Sequence, residues 1–179
     1  MKFLIVGLGN VGDEYHNTRH NIGFRILDAL ADASNISFME KRYGFVSEYS
    51  HKGKKFILLK PGTYVNLSGR AVNYWLQKED IAPENLLVVV DDIALPFGML
   101  RLRSQGGDGG HNGLIDIIQT LGHQNFARLR FGIGNDFREG FQVNYVLGKW
   151  TKAEEEILQP KITEAVEMIR TFTSKRNSE

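Results

Sequence analysis

Residues 7–23 read GLGNVGDEYHNTRHNIG, and the fold of the chain turns on how that stretch is understood. Gly7, Gly9 and Gly12 match G-x-G-x-x-G and follow an apolar run, residues 3–6, with the composition of a buried strand. That is the setting of a dinucleotide-binding loop. In the competing reading the glycines only let the backbone turn sharply after the strand, and Asn10 and His20 are the working side chains, delivered to one cleft. A dinucleotide site needs its helix to begin inside the glycine loop, because the helix N-terminus binds the pyrophosphate. Helical periodicity here starts only near Ile22, residues 13–21 are almost all polar, and no acid stands where a second strand would present one: Asp28 falls inside the helical pattern and Glu40 comes late. The glycine match is read as accidental, which leaves a nicotinamide-dependent oxidoreductase as the lesser alternative.

Working outward, strand-like runs occupy residues 3–6, 43–49, 56–59, 86–90, 99–103 and 128–133, several of them β-branched or aromatic and bounded by Gly, Pro or Asn. Helical patterns occupy residues 22–33, 68–78, 113–121 and 153–173. The last is preceded by Thr151 with Glu154 three residues on, a capping box, while Pro160 predicts a kink or a junction of two helical pieces. Alternating strands and helices imply helices covering a sheet, and a hairpin around Lys52-Gly53 makes the sheet mixed. The expected architecture is a single α/β domain over residues 1–179, a mixed twisted β-sheet flanked by α-helices. Ligands in such folds sit at strand ends, and the polar, glycine-rich segments 10–21, 60–66, 91–96 and 104–112 all follow strands.

Composition narrows the chemistry. With 179 residues, 42% hydrophobic and 24% charged, the chain fits one ordinary globular core. Its 22 basic and 21 acidic side chains nearly cancel, so any nucleic-acid site must be local. The absence of cysteine excludes disulfides, thiol nucleophiles and thiolate metal sites. Residues 2–8 are too short and glycine-rich for a signal-peptide core, and no apolar run reaches membrane-span length. A soluble cytoplasmic protein is the expectation.

His16 and His20 have the i,i+4 spacing of metal ligands on a helix, but their segment lacks a helical pattern. Asp91-Asp92 would need distant ligands to hold magnesium, so no metal is expected. There is no G-x-S-x-G nucleophile elbow, which makes water the expected attacker. Arg101 and Arg103, and again Arg128 and Arg130, are spaced to share one face of a strand. The glycine-rich run 104–113 leads from the first pair into a helix start that suits a phosphate. A local basic surface and a merely solvated sheet face fit these arginines equally, and Asp108 inside the run counts against an anion.

Taken together these segments resemble the bacterial-type peptidyl-tRNA hydrolases. The similarity is carried by GLGNVG (7–12), Tyr15 with TRHNIG (18–23), KPGTYVNLSG (60–69), DDIALPFG (91–98), GGHNGL (109–114), RLRFGIG (128–134) and YVLGK (145–149), which occur in the family's order and span most of the chain. The resemblance implies hydrolysis of the ester joining a peptide to the 3′ end of tRNA, with no metal or organic cofactor. It places the catalytic histidine at His20, its carboxylate partner at Asp91 and the active-site amides at Asn10, Asn66 and Asn112, with Tyr15 and Tyr64 beside them on the substrate. It makes Arg103 and Arg130, assisted by Arg101, the clamp for a tRNA phosphate away from the chemistry. The loop 104–110 is expected to border the cleft as a gate. The expected partner is peptidyl-tRNA, through its acceptor stem and 3′ end, with no membrane, no obligate protein partner and a monomeric chain.

The residue chemistry suits these roles. A histidine of ordinary pKa takes a proton from water near neutrality, an acid orients it and stabilises the imidazolium, and an amide donor such as Asn10 meets charge developing on the carbonyl oxygen. Neutral amides bind main-chain groups that every peptide shares, and phosphate contacts carry no base identity. Three residues depart from the family pattern: Val11 for proline, Val65 for methionine, and Asp108 for a small neutral residue. Val65 should shorten the apolar wall beside the site, and Asp108 should weaken acceptance of the acceptor stem. A non-catalytic RNA-binding relative is the other alternative, against which the complete set Asn10, His20, Asn66, Asp91 and Asn112 speaks.

Overall fold

The computed structural model describes residues 1–173 of the chain; the end of the expected 1–179 domain, residues 174–179, lies outside them. Seven strands form one sheet: β1 (Lys2–Gly7), β2 (Met39–Lys41), β3 (Gly44–His51), β4 (Lys54–Pro61), β5 (Leu86–Asp92), β6 (Leu100–Arg103) and β7 (Ala127–Gly132), in the spatial order β2-β3-β4-β1-β5-β7-β6. The central four, β4, β1, β5 and β7, run parallel, while β2, β3 and β6 add antiparallel edges. The hairpin between β3 and β4 pairs His51 with Lys54 across Lys52 and Gly53. Both turn residues have positive φ, 50° and 79°, the left-handed pair whose twist matches two antiparallel strands.

Alternate residues of the central strands serve two cores. Phe3, Ile5, Leu87, Val89 and Leu129 face α1 (Ile22–Ala33) and α5 (Lys152–Arg170); Leu4, Val6, Val88 and Val90 face α2 (Ser68–Lys78) and α3 (Asn112–Leu121). Parallel strands buried on both sides read as continuous apolar runs, as residues 3–6 and 86–90 do. A short helix, α4 (Gln142–Val146), and strand β2 were not legible in the sequence. No helix among the described residues is long and apolar enough to cross a membrane.

The capping box at α5 is formed, Glu154 N–H donating to Thr151 Oγ1 at 3.1 Å and Thr151 N–H to Glu154 Oε1 at 2.8 Å. Pro160 does not divide this element, which runs as one helix from Lys152 to Arg170. Proline withholds a donor from the carbonyl four residues back. Here that is Glu156, and both residues are exposed, so water can satisfy the freed oxygen.

The glycines of the first segment have local work. A Cβ on Gly7 would collide with the Gly23 carbonyl oxygen, and one on Gly23 would meet Leu8 N at 2.6 Å. The pair lets α1 lie directly on β1. Gly12 has φ 117°, which an L side chain rarely adopts. Helix α1 begins at Ile22, after two short 3-10 turns at Asp13–Tyr15 and Arg19–Asn21. Its N-terminus is thus remote from the glycine loop, and the dinucleotide reading fails on geometry.

Candidate active site

The carboxyl ends of β1, β4 and β5, where the chain order reverses across the sheet, open on a cleft of about 640 Å³. Asn10, His20, Tyr64, Asn66, Asp91 and Asn112 all line it.

Each is positioned by its local chain. Asn10 follows β1, and Asn21, next to His20, clamps its backbone: Asn10 N–H donates to Asn21 Oδ1 and Asn21 Nδ2 donates to Asn10 O, both at 2.9 Å. Gly9 leaves room for this pairing, since a Cβ there would sit 3.0 Å from Asn21 Cγ. The Asn10 side chain accepts from Val65 N–H at 2.7 Å through Oδ1. Its Nδ2 has no partner among the described residues and is the donor left for a ligand. Val65 is itself buried and packed where a Cβ on Gly113 would meet its Cγ1 at 2.8 Å, so the shorter side chain fits close contact between the β4 loop and α3.

Asp91 is the penultimate residue of β5 and is 4% exposed. Its Oδ2 accepts from His20 Nδ1 at 2.9 Å and its Oδ1 from His111 Nε2 at 2.8 Å. The neighbouring Asp92 also lines the cleft but stays out of this trio, accepting from Ala94 N–H and facing Arg130 at 3.6 Å. Local spacing does not single out His111, although it lies in the segment GGHNGL. It occupies the N-cap of α3, where Gly113 N–H donates to its Nδ1 at 3.1 Å. That bond requires an unprotonated Nδ1, so Nε2 carries the proton and donates it to Asp91. The carboxylate likewise selects the Nδ1–H tautomer of His20, leaving His20 Nε2 as the free base.

The electrostatics follow from burial against pairing. Burial draws the His20 imidazole down, but the Asp91 charge and hydrogen bond outweigh it and hold the pKa above the ordinary 6.5. Burial pushes the Asp91 carboxyl up, yet its pairing with His20 and His111 more than offsets it and holds it well below the usual carboxylate range. Ligand atoms of His20, Asp91 and His111 lie within 4.8 Å of one another, so this trio is the donor set among the described residues that comes nearest to a metal site. Two of those atoms are nitrogens committed as N–H donors to the carboxylate, so the set is satisfied as a hydrogen-bonded unit.

Arg19, beside His20, secures the opposite wall. Its guanidinium donates to the Tyr145 carbonyl at 3.1 Å and to Glu154 at 2.9 Å, and lies 4.1 Å over the Tyr145 ring. Arg19 N–H also donates to Gly148 O at 3.0 Å. These bonds fasten the segment carrying Gln142, Val143 and Val146, which line the cleft, to the chain that carries His20.

Other predicted residues fall elsewhere. Tyr15 does not line the cleft; its ring packs edge-on against Tyr64, centroids 6.2 Å apart. His16 is exposed on a separate groove of about 770 Å³ beyond Asn10. Register places Arg101 opposite Arg130 and Arg103 opposite Arg128, so all four share one face of the sheet edge. Arg101 and Arg103 are exposed, and Arg130 lines the cleft itself. Arg128 does not belong to a solvated basic surface: it is 0% exposed beneath the 104–111 loop.

A model of the peptidyl-tRNA hydrolase family matches residues 4–179 of the chain. The peptidyl-tRNA hydrolase of Bacteroides fragilis is 59% identical over 172 residues, 96% of this chain and 92% of that one. That of Phocaeicola vulgatus is 58% identical over 172 residues, with the same coverage. Among solved structures, peptidyl-tRNA hydrolase from Acinetobacter baumannii matches with a TM-score of 0.88 at 38% identity, over 94% of this chain and 86% of that one.

Proposed function

Because the chain belongs to the peptidyl-tRNA hydrolase family, we propose that it hydrolyses the ester between peptide and tRNA, releasing both, with water as nucleophile and His20 as base. The observation that carries this is the His20–Asp91 pair: Nδ1 is bound to a buried carboxylate at 2.9 Å, so in the neutral ring Nε2 is the unprotonated nitrogen, in a cleft lined by three asparagines. His20 Nε2 takes a proton from water as it attacks the ester carbonyl. Asp91 stabilises the imidazolium that forms, and His111 completes the solvation of the carboxylate. The free Nδ2 of Asn10 meets the charge growing on the carbonyl oxygen. The protonated His20 then returns its proton to the departing ribose oxygen.

Asn66 and Asn112 hold the peptide main chain and the water, with Tyr64, braced by Tyr15, beside them. Arg103 and Arg130, with Arg101 opposite Arg130, bind a phosphate of the tRNA. Arg130 reaches the cleft, so this basic face adjoins the chemistry. The reaction needs no metal or organic cofactor, and the enzyme works in the cytoplasm as a monomer.

The test is a comparison of substrates. Purified protein should cleave N-acetyl-aminoacyl-tRNA and spare free aminoacyl-tRNA, at a rate unaffected by a chelator. Equal cleavage of both substrates, or of neither, would overturn the proposal.

A further inference from the structure

We propose that Arg128 and Asp108 are positioning residues: together they hold the 104–111 loop in the conformation that delivers His111 to Asp91. The inference rests on the reading of Asp91 and His20 as the reacting pair. Neither Arg128 nor Asp108 lines the cleft, so both act through other groups.

Arg128 is fully buried, and no carboxylate lies within ion-pair distance among the described residues. Its guanidinium instead spans three backbone carbonyls: Gln124 O at 3.1 Å, Phe126 O at 3.2 Å and Gly107 O at 2.6 Å. It lies 4.4 Å over the Phe126 ring. Two of these carbonyls belong to the segment entering β7, and the third belongs to the loop. The side chain is therefore a tether from a fixed strand to a glycine-rich segment with little packing of its own. Burial pushes its pKa down to about 10, with Arg130 adding to the fall and Asp108 opposing it, so the tether stays charged at neutral pH. Arg130 also donates to Gly107 O, at 3.1 Å, while facing Asp92 at 3.6 Å. A phosphate that recruits Arg130 would leave Arg128 as the remaining hold on that carbonyl.

Asp108 shapes the next step of the chain. Its Oδ1 accepts from Gly110 N–H at 2.7 Å, and its carbonyl accepts from His111 N–H at 3.0 Å. Gly109 and Gly110 both have positive φ, 59° and 79°, a turn that favours glycine and that the carboxylate cap stabilises. The turn ends at His111, whose ring is fixed by Gly113 N–H and Asp91. Asp108, a departure from the family pattern, thus acts on the geometry of the loop.

The experiment uses the full chain with D108A, D108N and R128K. It measures kcat and KM on N-acetyl-aminoacyl-tRNA, and the tautomer and proton exchange of His111 by 15N NMR. D108A should lower kcat about tenfold with KM within about twofold, and should speed exchange of the His111 Nε2 proton. D108N keeps the capping oxygen and should restore both. R128K keeps the charge but cannot span three carbonyls, and should resemble D108A. D108A indistinguishable from wild type in both readouts, or D108N as impaired as D108A, would overturn the inference. Asp108 lies on a surface loop, so its variants keep the test open should R128K fold poorly. A wild-type protein inactive on the substrate would refute the proposed reaction instead, while the His111 signals would still decide the positioning.

Discussion

Asp91→Asn removes one charge from the centre of the site while keeping almost the same shape, and its effect can be worked from the geometry. In the wild type a carboxylate that is 4% exposed receives His20 Nδ1 at 2.9 Å and His111 Nε2 at 2.8 Å. The imidazolium that forms as His20 takes its proton loses the stabilising charge, and the ring loses its fixed tautomer; the same replacement in a hydrolytic triad costs about 10⁴ in kcat. With part of that effect retained, kcat should fall by roughly 10²–10⁴, about 3–5 kcal/mol of barrier at about 1.36 kcal/mol per tenfold. Part of the loss is tautomeric: an amide Nδ2 can donate to His20 Nδ1 and move the ring proton to Nε2, the nitrogen needed as base. The pH profile separates this from general damage. Only neutral His20 is a base, so the wild-type rate should rise with pH through a midpoint above the ordinary 6.5. In the variant the influence that raises the pKa is gone and burial remains, so the midpoint of any residual rate should move down. Single-turnover release of the acyl group from N-acetyl-aminoacyl-tRNA, followed from about pH 5 to about pH 9 across the histidine range, gives both readings. A loss below about tenfold, or an unmoved midpoint, would refute the reasoning.

Asn21→Ala strips the partners from both backbone groups of Asn10 and should cost about 2–3 kcal/mol, lowering the calorimetric Tm by roughly 4–12 °C; an unchanged Tm would show that the clamp is idle. Gly7→Ala drives a Cβ into the Gly23 carbonyl and should destabilise by about 3 kcal/mol while shifting Asn10 relative to His20. Wild-type stability in denaturant with full activity would contradict that packing argument. Arg103→Ala and Arg130→Ala should each raise KM and reduce the salt dependence of binding by about 0.7–0.9 in log–log slope, with the single-turnover rate at saturation preserved; a change confined to that rate would remove the phosphate role.

How much of this was legible in the sequence depended on the range of the interactions. Residues 22–33 and 68–78 were bounded to the residue because their apolar periodicity is local and strong. Asp91 lies at the carboxyl end of β5 and Asn10 just past β1, the region where such folds carry their sites, and the family resemblance supplies the roles expected of them. The setting of His111, a histidine between two glycines and a helix start, is visible in the sequence, but its contact with Asp91 is not. Its partner is twenty positions away on another element, and only the fold brings them together. The burial of Arg128 is hidden from the sequence for a related reason. Its spacing from Arg130 put both on one face of a strand, which is correct, but the loop that covers one and leaves the other at the cleft was invisible to periodicity. The i,i+4 pair His16 and His20 has metal spacing, yet the chain turns at Asn17, φ 59°, and His20 sits in the following 3-10 turn, so one histidine reaches an exposed groove and the other Asp91. Strand β2 and helix α4 are too short for any period to emerge.

The most direct test of the account is the single-turnover rate of His20→Ala on N-acetyl-aminoacyl-tRNA, set against its binding of the same substrate. Loss of a general base should lower the rate by about 10²–10⁴, with binding kept, since the amides and arginines are untouched. Undiminished hydrolysis by His20→Ala would contradict the central claim, because the nitrogen freed by Asp91 would then not be the base.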